Sequence, residues 1–142
     1  MATLERAIHL ASEHHSGQVD KAGHPYILHP LRVMLQVKTV DERIVAVLHD
    51  TIEDTSLTLE DLQQEGFSAV VVEAIQCLTK KPHEPYEQFI DRIKDNALAR
   101  RVKQADIRDN MDLSRLPAVT EKDLQRMKKY HIALKNLVEF SS

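Results

Sequence analysis

Apolar positions recur at helical spacing through most of the chain. Leu4, Ala7, Ile8 and Ala11, extended by His15, mark one face of a helix from Thr3 to about Ser16, which Gly17 punctuates. Residues 17–27 hold two glycines, Pro25 and mixed charge, and read as a loop. His29 precedes Pro30, so it sits at the start of a helix predicted from Pro30 to about Lys38. Next comes Arg43-Ile44-Val45-Ala46-Val47-Leu48, a buried helix with Asp41 as its cap. Thr58-Leu59-Glu60-Asp61 opens a short helix that Gly66 stops. Ser68 begins a further helix to Leu78; its three consecutive valines also suit a strand, but a lone strand has no partner. Tyr86, Phe89, Ile90 and Ile93 mark another helix, followed after a bend at Asp95-Asn96 by one carrying Leu98, Val102, Ala105 and Asp109 on one face. Thr120 caps the last helix, whose stripe is Leu124, Met127, His131, Leu134 and Val138. The pattern predicts an all-α protein, one bundle of about seven helices in one domain over residues 1–142.

Composition narrows the picture. Leu, Ala, Glu, Lys and Arg are abundant and there are only 3 glycines, a balance that favours helices. A formal net charge of -3 gives no general attraction to nucleic acid or acidic lipid. No apolar run reaches the roughly 20 residues that span a bilayer, and the start of the chain reads as an amphipathic helix, not a signal sequence. The one cysteine, Cys77, lies among apolar neighbours as an inert thiol. A cytoplasmic protein is expected, with no nucleic acid or membrane partner; an oligomer is left open.

The chemistry concentrates at His49-Asp50-Thr51-Ile52-Glu53-Asp54, where an imidazole and three carboxylates end the most apolar helix. Burying such groups costs several kcal/mol or more unless they pair or bind a metal. On a helix His49 and Glu53 share a face, as do Asp50 and Asp54. The alternative is a helix end fraying into a polar turn. Two further places offer ligands, His29 at a helix start and Asp106 in mid-helix. Two histidines and two carboxylates suit one Mn, Fe, Zn or similar ion. Such an ion makes water a nucleophile near neutral pH, which Glu53 and Asp54 are positioned to orient while protonating a leaving group.

Four stretches, in order, carry a resemblance: His15-Ser16-Gly17-Gln18; Gly23-His24-Pro25-Tyr26-Ile27-Leu28-His29-Pro30; Leu48-His49-Asp50-Thr51-Ile52-Glu53-Asp54-Thr55; and Val102-Lys103-Gln104-Ala105-Asp106 with Asn110. They resemble the HD superfamily of metal-dependent phosphohydrolases, and within it the RelA/SpoT-type hydrolase domain in its stand-alone form, the small alarmone hydrolase. The resemblance implies an all-α fold and one Mn2+ held by His29, His49, Asp50 and Asp106. It implies Glu53 and Asp54 as the catalytic pair, and removal of the 3′-pyrophosphate from ppGpp or pppGpp. Lys21 matches a lysine of the nucleotide pocket and Asn110 an asparagine near the ribose. With no synthetase or regulatory region in the sequence, hydrolysis alone is expected.

Two departures bear on the base. Asp20-Lys21 stands where guanosine-alarmone hydrolases of this type usually have Arg-Lys, whose guanidinium stacks on the base. Asp112-Leu113 replaces a more usual polar or basic pair. The substrate therefore stays open between guanosine and adenosine alarmones. The alternatives are an HD phosphohydrolase acting on NADPH or a nucleoside monophosphate, and a non-catalytic nucleotide-binding module. Lys80 and Lys81 are either phosphate clamps or solvated loop lysines; Lys103 either binds phosphate or pairs with a carboxylate; Tyr130 either closes the pocket or packs in the core.

Overall fold

The computed structural model describes residues 2–141. Its order is α1 (Leu4–His14), α2 (Leu28–Leu35), α3 (Val40–Leu48), α4 (Thr51–Asp54), α5 (Leu59–Gln64), α6 (Ala69–Cys77), α7 (Tyr86–Ile93), α8 (Ala97–Asn110), a 3-10 turn (Leu113–Arg115) and α9 (Glu121–Ser141). The one β feature among the described residues is an antiparallel bridge between Val19 and Pro25. The valines of α6 are helical, as the absence of a partner strand requires.

Helix α3 is the axis of the bundle and packs against α1, α2, α6 and α8. Val45, Ala46, Val47 and Leu48 are wholly buried, so the second half of this helix is apolar on every side up to the polar cluster. Its cap is Thr39, not Asp41. Thr39 and Glu42 form a reciprocal capping box in which each side chain accepts from the other's backbone N–H, leaving Asp41 free to face solvent. Thr58 and Asp61 form the same box at α5, and Asn96 caps α8 where the bend was expected.

Among the described residues the seven or so expected helices resolve into nine α segments, mainly because α3 does not run through the polar cluster. His49 Nδ1 donates to the Ala46 carbonyl at 2.5 Å and the Thr51 hydroxyl donates to the Leu48 carbonyl at 2.7 Å. These side chains take carbonyls at the end of the helix, and the chain restarts as the single turn α4. Helix α2 starts two residues before Pro30, since turn bonds from the N–H of Leu28 and of His29 to Pro25 and Tyr26 form its first turn. Pro30 still occupies a first-turn position, where a missing N–H costs little.

Helix α9 buries a face displaced from the predicted one. Ala133 and Leu137 are buried, with Tyr130 and Leu134 partly so, whereas Leu124 is 46% and Val138 40% exposed and His131 faces solvent. Sequence spacing allows either stripe; contact with α7 and α8 selects the one that meets the bundle.

Candidate metal centre and nucleotide cleft

Three rigid elements bring four side chains together. His29 comes from the first turn of α2, His49 and Asp50 from the break between α3 and α4, and Asp106 from the middle of α8. One ligand atom from each lies within 4.8 Å of every other. His29 Nε2 is 2.8 Å and His49 Nε2 3.1 Å from the same oxygen, Asp106 Oδ1, and Asp50 Oδ2 is 3.1 Å from His49 Nε2.

The other nitrogen of each ring is already engaged. His29 Nδ1 donates to Asp109 Oδ2 at 2.6 Å, and His49 Nδ1 to the Ala46 carbonyl. With Nδ1–H fixed, a neutral imidazole turns the bare lone pair of Nε2 toward a carboxylate oxygen, acceptor against acceptor. A proton or a metal ion between them removes that repulsion. Without a metal the charge is protonic: burial pushes His29 down, but hydrogen bonds to Asp106 and Asp109 outweigh it and hold His29 up at about 9. His49 is likewise raised, the charges of Asp50 and Asp106 overcoming its burial. Burial pushes Asp50 up, but His49 outweighs it and draws the carboxyl down to about 2. Two protons on two rings carry the charge of one divalent cation. The donor set, its convergence and the anchored far nitrogens all fit a resident divalent metal.

Neighbours fix the carboxylates. The Tyr26 hydroxyl donates to Asp50 Oδ2. Lys103 Nζ donates to Asp106 Oδ2 at 2.8 Å and Asn110 Nδ2 to Asp106 Oδ1 at 3.3 Å. Lys103 therefore forms the ion pair, and its charge neutralises a carboxylate before any phosphate arrives. Glu53 and Asp54 follow on α4, both exposed. Glu53 Oε1 accepts from the backbone N–H of Lys80 at 2.8 Å, and burial, then the charges of Asp50 and Glu53, push Asp54 up to about 6.

Beside the cluster lies a cleft of about 340 Å³. Lys21, His29 and Asn110 line it, facing Arg126, Met127 and Tyr130 of α9; Glu53 and Asp54 are not among its walls. The rim is basic. Burial and the neighbouring Arg126 push the Lys21 ammonium down, and Lys129 is pushed down by burial and by Lys103, Arg126 and Lys80. Cations that destabilise one another in this way favour an anion between them. At the far end Asp20 Oδ1 accepts from the N–H groups of Ala22 and His24, both at 2.9 Å, so its carboxylate shapes the loop. Asp112 is held by Ser114 and Arg115.

Three residues of the site carried no predicted role. Tyr26 and Gln18 sit in stretches whose resemblance was plain, yet their partners lie 24 and 36 positions away. Asp109 had a readable signal, a carboxylate on the apolar face of Leu98, Val102 and Ala105. His15 is buried and burial pushes it down, so it stays neutral, with Nδ1 bonded to Gln18 Oε1 at 2.9 Å.

No protein-family model matches the chain. In sequence it is similar to the guanosine-3′,5′-bis(diphosphate) 3′-pyrophosphohydrolase of Aquifex aeolicus, 40% identical over 81 residues, which are 54% of this chain and 12% of that protein. The bifunctional (p)ppGpp synthase/hydrolase SpoT of Escherichia coli K12 is 37% identical over 81 residues, 54% of this chain and 11% of SpoT. A GTP pyrophosphokinase of Streptomyces coelicolor is 42% identical over 81 residues, 54% of this chain and 9% of that protein. The chain thus matches only about a tenth of the length of these curated relatives. In structure it is similar to a metazoan ortholog of SpoT described as hydrolysing ppGpp, with a TM-score of 0.77 over 99% of this chain and 85% of that one, at 22% identity. That likeness is one of fold. In sequence over 54% of its length, and in fold over 99% of it, the chain is thus similar to proteins of the RelA/SpoT type. No helix among the described residues is long and apolar enough to cross a membrane.

Proposed function

We propose that the chain is a metal-dependent hydrolase that removes the 3′-pyrophosphate from guanosine or adenosine alarmones of the (p)ppGpp type. The observation that carries this reading is the convergence of His29, His49, Asp50 and Asp106 beside a cleft that Lys21 and Arg126 line. The 3′-pyrophosphohydrolase activity named for the Aquifex relative supports the substrate class.

His29, His49, Asp50 and Asp106 would hold one divalent ion, Mn2+ in this reading. When bound, such an ion supplies Lewis-acid activation of water and neutralises phosphate charge. The protein's own groups do the rest. Tyr26 holds Asp50, and Lys103 with Asn110 holds Asp106, so neither carboxylate swings away. Glu53 and Asp54 orient the attacking water and protonate the departing ribose 3′-oxygen as its bond to phosphorus breaks. Asp54, raised to about 6, is the member better able to carry a proton near neutral pH. Lys21 and Arg126, which line the cleft, would attract the phosphates, and Asn110, also in its wall, would face the ribose.

Both oxygens of Asp112 and one oxygen of Asp20 are engaged within the protein, and neither side chain can stack on a base as a guanidinium does. Guanosine and adenosine alarmones therefore remain together in this reading, with NADPH or a nucleoside monophosphate as the second one. The cytoplasm, where such nucleotides occur, is the location that follows. The test is a panel of ppGpp, pppGpp, ppApp, NADPH and nucleoside monophosphates with Mn2+, read as phosphate or pyrophosphate release. Pyrophosphate from the alarmones is expected. Orthophosphate from NADPH or monophosphates alone would favour the second reading, and no release from any substrate would leave a binding module.

A further inference from the structure

His29 differs from His49 in what holds its far nitrogen. His49 leans on a backbone carbonyl of its own helix. His29 leans on Asp109, a side chain 80 positions away that is only 5% exposed. Asp109 is in turn gripped on both oxygens: Arg32 Nε donates to Oδ1 at 2.8 Å and Arg32 Nη2 to Oδ2 at 3.1 Å. Arg115 Nη2 donates to the Asp109 carbonyl at 2.8 Å and lies 3.5 Å from Oδ2. A buried carboxylate held by a two-pronged guanidinium has little freedom to turn. Its remaining partner, the His29 ring, is thereby fixed in the tautomer and orientation that send Nε2 toward Asp106.

We propose that Asp109, clamped by Arg32, is the positioning residue for His29 and so sets the protein's affinity for its divalent ion. The proposal rests on the metal-site reading above. A carboxylate behind a ligating histidine commonly contributes 10- to 100-fold in metal affinity. The outer support of the ion and a wall of the nucleotide cleft are then the same three residues, because Arg32, Asp109 and Arg115 all line that cleft.

The test is equilibrium dialysis of Mn2+ against the full chain and the variants Asp109→Asn, His29→Ala and their combination. Asp109→Asn is expected to weaken binding about 10- to 100-fold, with turnover recovering as Mn2+ is raised to saturation. In the His29→Ala background, Asp109→Asn should weaken binding no further, since Asp109 acts through that ring. Additive losses would assign Asp109 to the fold in general and overturn the proposal, as would wild-type affinity in Asp109→Asn. Should Asp109→Asn lose its helical circular dichroism, Asp109→Glu takes its place in the cycle with the same outcomes. A wild-type chain that binds no Mn2+ would defeat the metal-site reading itself; binding by wild type with no effect of the variants would defeat only this proposal.

Discussion

Glu53 accepts a 2.8 Å hydrogen bond from the backbone N–H of Lys80. The same carboxylate proposed for proton transfer thus tethers the connection between α6 and α7, where Lys80 and Lys81 stand. The two roles separate by substitution. Glu53→Gln keeps an oxygen to accept from Lys80 but loses the charge and the basicity. It should lower kcat by about 10²-fold or more while leaving hydrogen exchange at 80–85 unchanged. Glu53→Ala should lower kcat similarly and also speed exchange in that connection. A Glu53→Gln enzyme with wild-type kcat would remove Glu53 from the chemistry.

Gln18 joins two further parts of the site. Its Oε1 accepts from His15 Nδ1, and its Nε2 donates to the Asp54 carbonyl at 3.1 Å. His15 Nε2 is buried with no partner, so losing Gln18 strands the whole ring. Gln18→Ala should cost about 1–3 kcal/mol in urea unfolding, the penalty for a buried donor left unmade. It should also lower kcat, because α4 is only four residues long and Gln18 holds the carbonyl of its last residue, Asp54. Unchanged stability would mean that water replaces the amide.

Acid stability should depend on Glu84. The hydrogen bond from Arg92 draws its carboxyl down to about 2 from an ordinary value near 4.5. A depressed carboxyl stabilises the fold above its unfolded value, and the contribution fades as pH falls through the folded one. Wild type should therefore be more stable than Glu84→Gln at neutral pH, with the gap closing between about 4.5 and 2. Denaturant midpoints at several pH values check this; a gap that stays constant down to pH 2 would contradict it.

The helices and the four converging side chains were legible because each depends on local order: apolar spacing, caps, and short motifs on rigid elements. The break at His49–Asp50 was not, because it rests on where the His49 ring and the Thr51 hydroxyl turn. The α9 face was misread for another reason. Its sequence offers two neighbouring stripes of similar apolarity, and only the bundle chooses Ala133 and Leu137 over Leu124 and Val138. The role of Asp20 lay between these cases: a carboxylate near Gly23 in a loop fits a turn, yet the missing arginine drew attention to the base instead.

Base discrimination follows from that loop. A stacking arginine contributes about 0.5–2 kcal/mol, up to roughly thirtyfold in binding, which is less than the phosphates and metal supply. ppGpp and ppApp should therefore differ only modestly in kcat/KM, and Asp20→Arg should tilt the ratio toward ppGpp. Asp20→Asn, which can still accept from Ala22 and His24, should leave the ratio alone. A strong wild-type preference for ppGpp with no gain from arginine would mean that other residues read the base.

One divalent ion among His29, His49, Asp50 and Asp106 is proposed to be required for turnover. Asp106 is the direct probe, since both imidazoles converge on its Oδ1. The measurement is Mn2+ retained per chain after dialysis, for wild type and Asp106→Ala, with ppGpp hydrolysis assayed on the same samples. The account predicts about one ion per wild-type chain, with both the ion and the activity lost in Asp106→Ala. An Asp106→Ala protein that keeps full Mn2+ occupancy would contradict it.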